Sequence, residues 1–114
     1  MIPLKNASAI EKAINSKTKA IIPVHLYGQP VKNFDKLVKI AKKYSLYIIE
    51  DCAQAPGATY KGKPAGTLGD IGVFSLNYHK HIHSGEGGII VTNDDDLAED
   101  CNCLLYTSPS PRET

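Results

Sequence analysis

The chain has 114 residues and a mass near 12.4 kDa, with 13 basic residues against 12 acidic ones and a formal net charge of +1. Apolar residues make up 42% and charged residues 22%, an ordinary globular balance that excludes disordered and collagen-like classes. The near-neutral charge argues against a nucleic-acid binder, no apolar run approaches the roughly 18 residues of a membrane span, and residues 1–8 read as a polar lead rather than a signal peptide.

Ser8 and Glu11 have the S-x-x-E spacing of a capping box and predict a helix ending near Asn15, with Ile10, Ala13 and Ile14 on one face. Residues 20–24, Ala-Ile-Ile-Pro-Val, predict a short buried strand. His25 then opens a loop at that strand's carboxyl end. Asn33 is placed to cap the next helix, in which Phe34, Leu37, Val38, Ala41 and Tyr44 follow at helical spacing. Lys36, Lys39, Lys42 and Lys43 fall mostly off that stripe and read as a solvated face. Residues 46–49, Leu-Tyr-Ile-Ile, predict a second buried strand running into Glu50 and Asp51. Residues 59–64 read as a hairpin turn, 71–76 and 88–92 as two further strands, and 93–96 as the acidic start of another helix.

Helix, strand, helix, strand with short connections is the pattern of an α/β fold with a mostly parallel sheet flanked by helices. In such sheets functional groups gather beyond the carboxyl ends of the strands. Asp51 and His25 both occupy such ends. Cys52, Cys101 and Cys103 have neither metal-type nor disulfide-framework spacing, so a reducing, cytoplasmic setting is expected and Cys52 reads as a small buried residue. His79, His81 and His83 alternate with Lys80 and Ile82. On an extended strand they would share one face, which raises a metal site as an alternative. No acidic or cysteine ligand is suitably spaced nearby, and no metal is expected.

Four segments carry a more specific signal: A-I-I-P-V-H-L-Y-G-Q-P at 20–30, I-I-E-D-C-A-Q-A at 48–55, G-T-L-G-D-I-G-V-F-S at 66–75, and K-H-I-H-S-G-E-G-G from Lys80. In this order they resemble the DegT/DnrJ/StrS family of sugar aminotransferases, over about residues 17–100. The resemblance implies part of the large domain of a fold type I enzyme dependent on pyridoxal 5'-phosphate. Lys80 matches the lysine that bonds covalently to the cofactor and later shuttles a proton. Asp51 matches the carboxylate facing the pyridine nitrogen. Gln54 matches a polar residue beside the ring, and Ser75 a hydroxyl donor to the phosphate. His25 fits a wall of the same site or an ordinary structural histidine. Glu86 is expected to pin the loop behind Lys80, where Gly85, Gly87 and Gly88 allow tight turns.

The implied reaction is transamination of a nucleotide-linked keto-sugar by an amino acid donor, by family analogy L-glutamate, in a homodimer. One branch of the family carries histidine in place of the lysine and performs dehydration. Counting from Phe74-Ser75 places Lys80 at the decisive position, which favours transamination. The family's upstream phosphate loop and downstream small domain have no counterpart in the chain, so residues 1–102 are expected to be a partial cofactor-binding domain without turnover of its own. Residues 103–114 are expected to lie outside it. Their sequence resembles a translated sequencing adapter; a natural disordered tail is the rival reading.

Overall fold

The computed structural model describes residues 7–107. Residues 1–6, most of the polar lead, and residues 108–114 of the tail lie outside the described residues. Helix α1 (Ala7–Ala13) is followed by strand β1 (Ala20–Ile21), a short 3-10 turn (Leu26–Gly28), helix α2 (Phe34–Lys43) and strand β2 (Tyr47–Asp51). A hairpin of β3 (Thr59–Tyr60) and β4 (Lys63–Pro64) precedes strands β5 (Ile71–Ser75) and β6 (Gly88–Val91) and helix α3 (Asp95–Thr107).

The main sheet has the order β1-β2-β5-β6. β1, β2 and β5 run parallel, and β6 returns antiparallel against β5. The fold is therefore α/β with a mostly parallel sheet, as the element order implied. β1 is shorter than expected because Pro23 has no N–H to donate; pairing resumes as an isolated bridge between Val24 and Asp51. In the hairpin, Lys61 (φ 48°) and Gly62 (φ 80°) both adopt the left-handed backbone that a two-residue turn between antiparallel strands demands.

Register and alternation sort the side chains. Ile48 pairs with Ile21 and faces α2, where Phe34, Leu37, Ala41 and Ile48 form the buried cluster. Ile40 is also buried, whereas Tyr44 remains 39% exposed at the helix end. The lysines of α2 face solvent, and Lys43 pairs with Glu11 of α1 at 3.0 Å. Two of the predicted caps form differently. Ser8 lies inside α1, and Asn33 is the N-cap of α2 but in a left-handed conformation (φ 59°) without a side-chain cap bond. Asp94 caps α3, its Oδ1 accepting from the amides of Asp96 and Leu97 at 2.9 and 3.1 Å.

α3 runs to Thr107, into the segment from residue 103 expected to lie outside the domain. Leu104, Leu105 and Tyr106 are tolerated in a helix, and Pro109, the first proline of the tail, lies beyond its described end. Leu104, Leu105 and Tyr106 are nevertheless all exposed.

Candidate active site

The carboxyl ends of β1, β2 and β5 bring together most of the residues singled out above. Asp51 ends β2 and pairs in register with Val73 of β5, two residues before Ser75. Alternation puts Asp51, Val73 and Ser75 on the sheet face opposite α2. Asp51 is held from both sides. Its amide donates to the Pro23 carbonyl at 2.9 Å and its carbonyl accepts from the His25 amide at 3.1 Å, while the next amide, of Cys52, donates to Val73 at 2.8 Å. The carboxylate accepts the Ala53 amide on Oδ1 at 3.1 Å. Among the described residues no donor reaches Oδ2, which remains available to a ligand cation.

Gln54 is exposed on the loop after β2, and its Oε1 accepts the amide of Tyr27 at 2.9 Å. Tyr27 itself has a left-handed backbone (φ 53°). With Oε1 engaged, the Nε2 amide is the group that Gln54 can offer outward. Ser75 Oγ accepts the Asn77 amide at 3.3 Å, leaving its O–H free to donate.

Lys80 lies in the loop between β5 and β6. That loop is closed at its base, where the Leu76 amide donates to the Gly87 carbonyl at 2.9 Å and the Ser84 amide to Leu76 at 3.0 Å. The Lys80 amide donates to Asn77 at 2.9 Å, folding the lysine into a turn. Its side chain is half-buried and makes no ion pair among the described residues. The Ser84 hydroxyl donates to the Glu86 carbonyl at 2.8 Å, tying the turn behind the lysine.

His79, His81 and His83 are exposed in this looped segment rather than on a strand, so they do not share the face that the extended reading required. Among the described residues the three-ligand cluster is elsewhere: His25, Glu50 and Cys52 lie with their ligand atoms within 4.8 Å of one another, all buried. The lone pairs of Glu50 and His25 are already used. Glu50 Oε1 accepts His25 Nε2 at 2.9 Å and the Gly66 amide at 2.8 Å; Oε2 accepts the amides of Leu68 and Gly69, each at 2.8 Å. His25 Nδ1 accepts the Val31 amide at 3.0 Å. Burial first, then the charges of Glu50 and Asp51, push the Cys52 thiol up to about 12, so it stays protonated and is a poor ligand at neutral pH.

Burial also pushes the Glu50 carboxyl up and is the largest single influence. The bonds from His25, Gly69, Gly66 and Leu68 together outweigh it and hold the carboxyl below its ordinary range. His25 is thus fully buried on the α2 side with both ring nitrogens engaged by protein. Sequence reasoning assigned Glu50 no role. The signal was present in the alternation: Glu50 shares its face of β2 with the core residue Ile48.

The model of the DegT/DnrJ/EryC1/StrS aminotransferase family matches residues 4–113. The chain belongs to this family. It is 52% identical over 106 residues to the GDP-perosamine synthase of Caulobacter vibrioides, covering 93% of the chain and 28% of that enzyme. Among solved structures, the aminotransferase of Psychrobacter cryohalolentis superposes with a TM-score of 0.80 at 38% identity, over 93% of this chain and 29% of that one. The GDP-4-keto-6-deoxy-D-mannose-3-dehydratase of E. coli, solved with bound hydrated pyridoxal phosphate, gives 0.75 at 38% identity, over 87% and 25%. The chain therefore spans little more than a quarter of the length of these relatives.

The donor set fits that cofactor. An unengaged carboxylate oxygen, an outward amide, a free hydroxyl hydrogen and an unpaired lysine at one sheet edge match a ring nitrogen, a ring substituent, a phosphate and an aldehyde.

Proposed function

We propose that the chain is the central cofactor-binding segment of a longer, cytoplasmic, homodimeric aminotransferase. It transfers an amino group from an amino acid, L-glutamate by family analogy, to a nucleotide-linked keto-sugar, yielding an amino sugar. The observation that carries this reading is the placement of Asp51 and Ser75 on one face at the ends of adjacent parallel strands, with Lys80 in the closed loop that follows. The family membership and the aminotransferase superposition support it.

Pyridoxal phosphate, when bound, supplies an electrophilic carbon and a ring that takes up the electron pair released at the substrate carbon. The protein's part follows from its own groups. Asp51 Oδ2 would accept a hydrogen bond from the protonated ring nitrogen and hold that proton in place; a preorganised charge costs no reorganisation during reaction. Ser75 would donate to a phosphate oxygen, and Gln54 Nε2 would orient the ring. Lys80 Nζ would hold the cofactor at its aldehyde carbon and, when free, would move a proton at the substrate carbon.

The dehydratase relative shows that the same fold also serves deoxygenation. A lysine at position 80 favours transamination, because its amine can both bond to the cofactor and move the proton. Residues 103–114 are read as foreign to the domain; the exposure of Leu104, Leu105 and Tyr106 supports this, while the family match itself extends to residue 113. Resequencing the genomic locus tests that point, and native codons continuing the family pattern would overturn it.

The deciding experiment is reductive trapping. The full-length protein is incubated with pyridoxal phosphate, reduced with borohydride, digested and mapped by mass spectrometry. A dominant adduct on Lys80 that vanishes in Lys80→Ala is expected; labelling scattered over other lysines would overturn the assignment. Product analysis with a keto-sugar nucleotide then separates a new amine from a deoxygenated sugar.

A further inference from the structure

Glu50 is fully buried, yet four donors converge on its two oxygens from two segments outside its own strand. His25 belongs to the loop after β1, Glu50 to β2 itself, and Gly66, Leu68 and Gly69 to the loop before β5. A carboxylate offers about four acceptor sites, so all are filled. Because His25 Nδ1 accepts the Val31 amide, its proton must sit on Nε2, the nitrogen that donates to Glu50. That one ring therefore relays the carboxylate to a point six residues further along its loop. The same loop holds Asp51 through the His25 amide and Gln54 through the Tyr27 amide.

We propose that Glu50 is a positioning residue for the cofactor site: it cinches the three carboxyl-end segments and fixes the Nε2–H form of His25, so that Asp51 and Gln54 are held ready on the other face. This rests on the reading of Asp51 as a cofactor contact. An uncharged amide cannot replace the carboxylate. The substitution Glu50→Gln would turn one oxygen into a donor facing the amides of Leu68 and Gly69, and partly satisfied buried networks are the costly ones.

The test uses the full-length protein. Selective ¹⁵N-histidine labelling should report the Nε2–H tautomer for His25 in the cofactor-free protein; the Nδ1–H tautomer would overturn the proposal. Glu50→Gln should speed amide exchange at 66–69 and weaken cofactor binding by about tenfold or more, the scale seen when groups supporting a bound centre are removed. Leu37→Val, a core change away from the network, controls for general loss of stability and should leave cofactor affinity unchanged. Glu50→Gln that folds and binds cofactor like wild type would overturn the role.

If Glu50→Gln does not fold, the pair His25→Gln and His25→Leu decides. Glutamine can donate to Glu50 and accept from Val31, so it should lose several-fold less affinity than leucine; equal losses would overturn the proposal. Asp51→Asn is measured in parallel. An unaltered cofactor spectrum there would overturn the reading of Asp51 and the positioning role with it, whereas an altered spectrum with a silent Glu50→Gln removes the positioning role alone.

Discussion

Cys52 and Glu50 show how burial acts on two neighbouring groups of opposite habit. The thiol is neutral when protonated, so burial and adjacent negative charge keep it so, up to about 12. In an unfolded chain it would ionise at about 8.5. The stability it contributes is therefore complete below that value and lost as pH rises towards the folded one. Glu50 behaves in the opposite sense. Its folded pKa is lowered, so its contribution is complete above the ordinary carboxylate value, about 4.3, and lost as pH falls through the folded value. A thiol reagent at neutral pH should modify exposed Cys103 readily and Cys52 only after denaturant is added; peptide mapping of the adducts checks this. Acid denaturation followed by circular dichroism should show wild-type stability falling off below about pH 4, with the slope reduced in Glu50→Gln.

At the scale of elements, the close approach of the loop at 65–69 to the sheet explains a glycine inside β5. Gly72 pairs with Glu50, and a Cβ there would lie 2.4 Å from the Gly66 carbonyl oxygen and 2.5 Å from its Cα. The glycine lets the loop lie flat, which is what allows the Gly66 amide to reach Glu50. Gly72→Ala should therefore cost about 1–3 kcal/mol, read as a lower midpoint in urea unfolding. Phe34 supports the same region from α2, its ring 6.0 Å from that of His25. Phe34→Ala should cost about 3–5 kcal/mol by the same measurement. The periodicities made α2, β2, β5 and the hairpin legible, since each has a regular stripe or a turn signal. Pro23 marked where β1 would end, and the strand stops just before it; the length of α3 was not legible, because it turned on residues that tolerate a helix without being buried by it.

At the scale of the whole molecule, the described residues cover the sheet on one face and leave the other open. Ile22 (61%), Tyr47 (53%), Val73 (38%) and Ile90 (43%) are exposed there, and α3 buries none of its side chains. No helix among the described residues is long and apolar enough to cross a membrane. The proposed site residues lie at the edge of that open face, and the chain covers 28% of the GDP-perosamine synthase it resembles. The 114-residue polypeptide should accordingly show no transamination of a keto-sugar nucleotide with glutamate. Detectable amine product from the purified chain, above a Lys80→Ala control, would contradict this.

Much of the candidate site was legible for a local reason: an α/β pattern places strand ends, and the residues following those ends can be read directly. Asp51, Gln54, Ser75 and Lys80 are such residues, and the structure sets them at one edge. The sequence by itself determined the alternation of elements and the chemistry available at their ends. Only the tertiary structure decided that β6 turns back antiparallel, that the histidine triplet is looped and dispersed in solvent, and that His25 belongs to Glu50. Hydrophobic period records which face of an element is buried, but not which distant group meets it there. His25 and Glu50 are 25 residues apart in the chain and 2.9 Å apart in the fold.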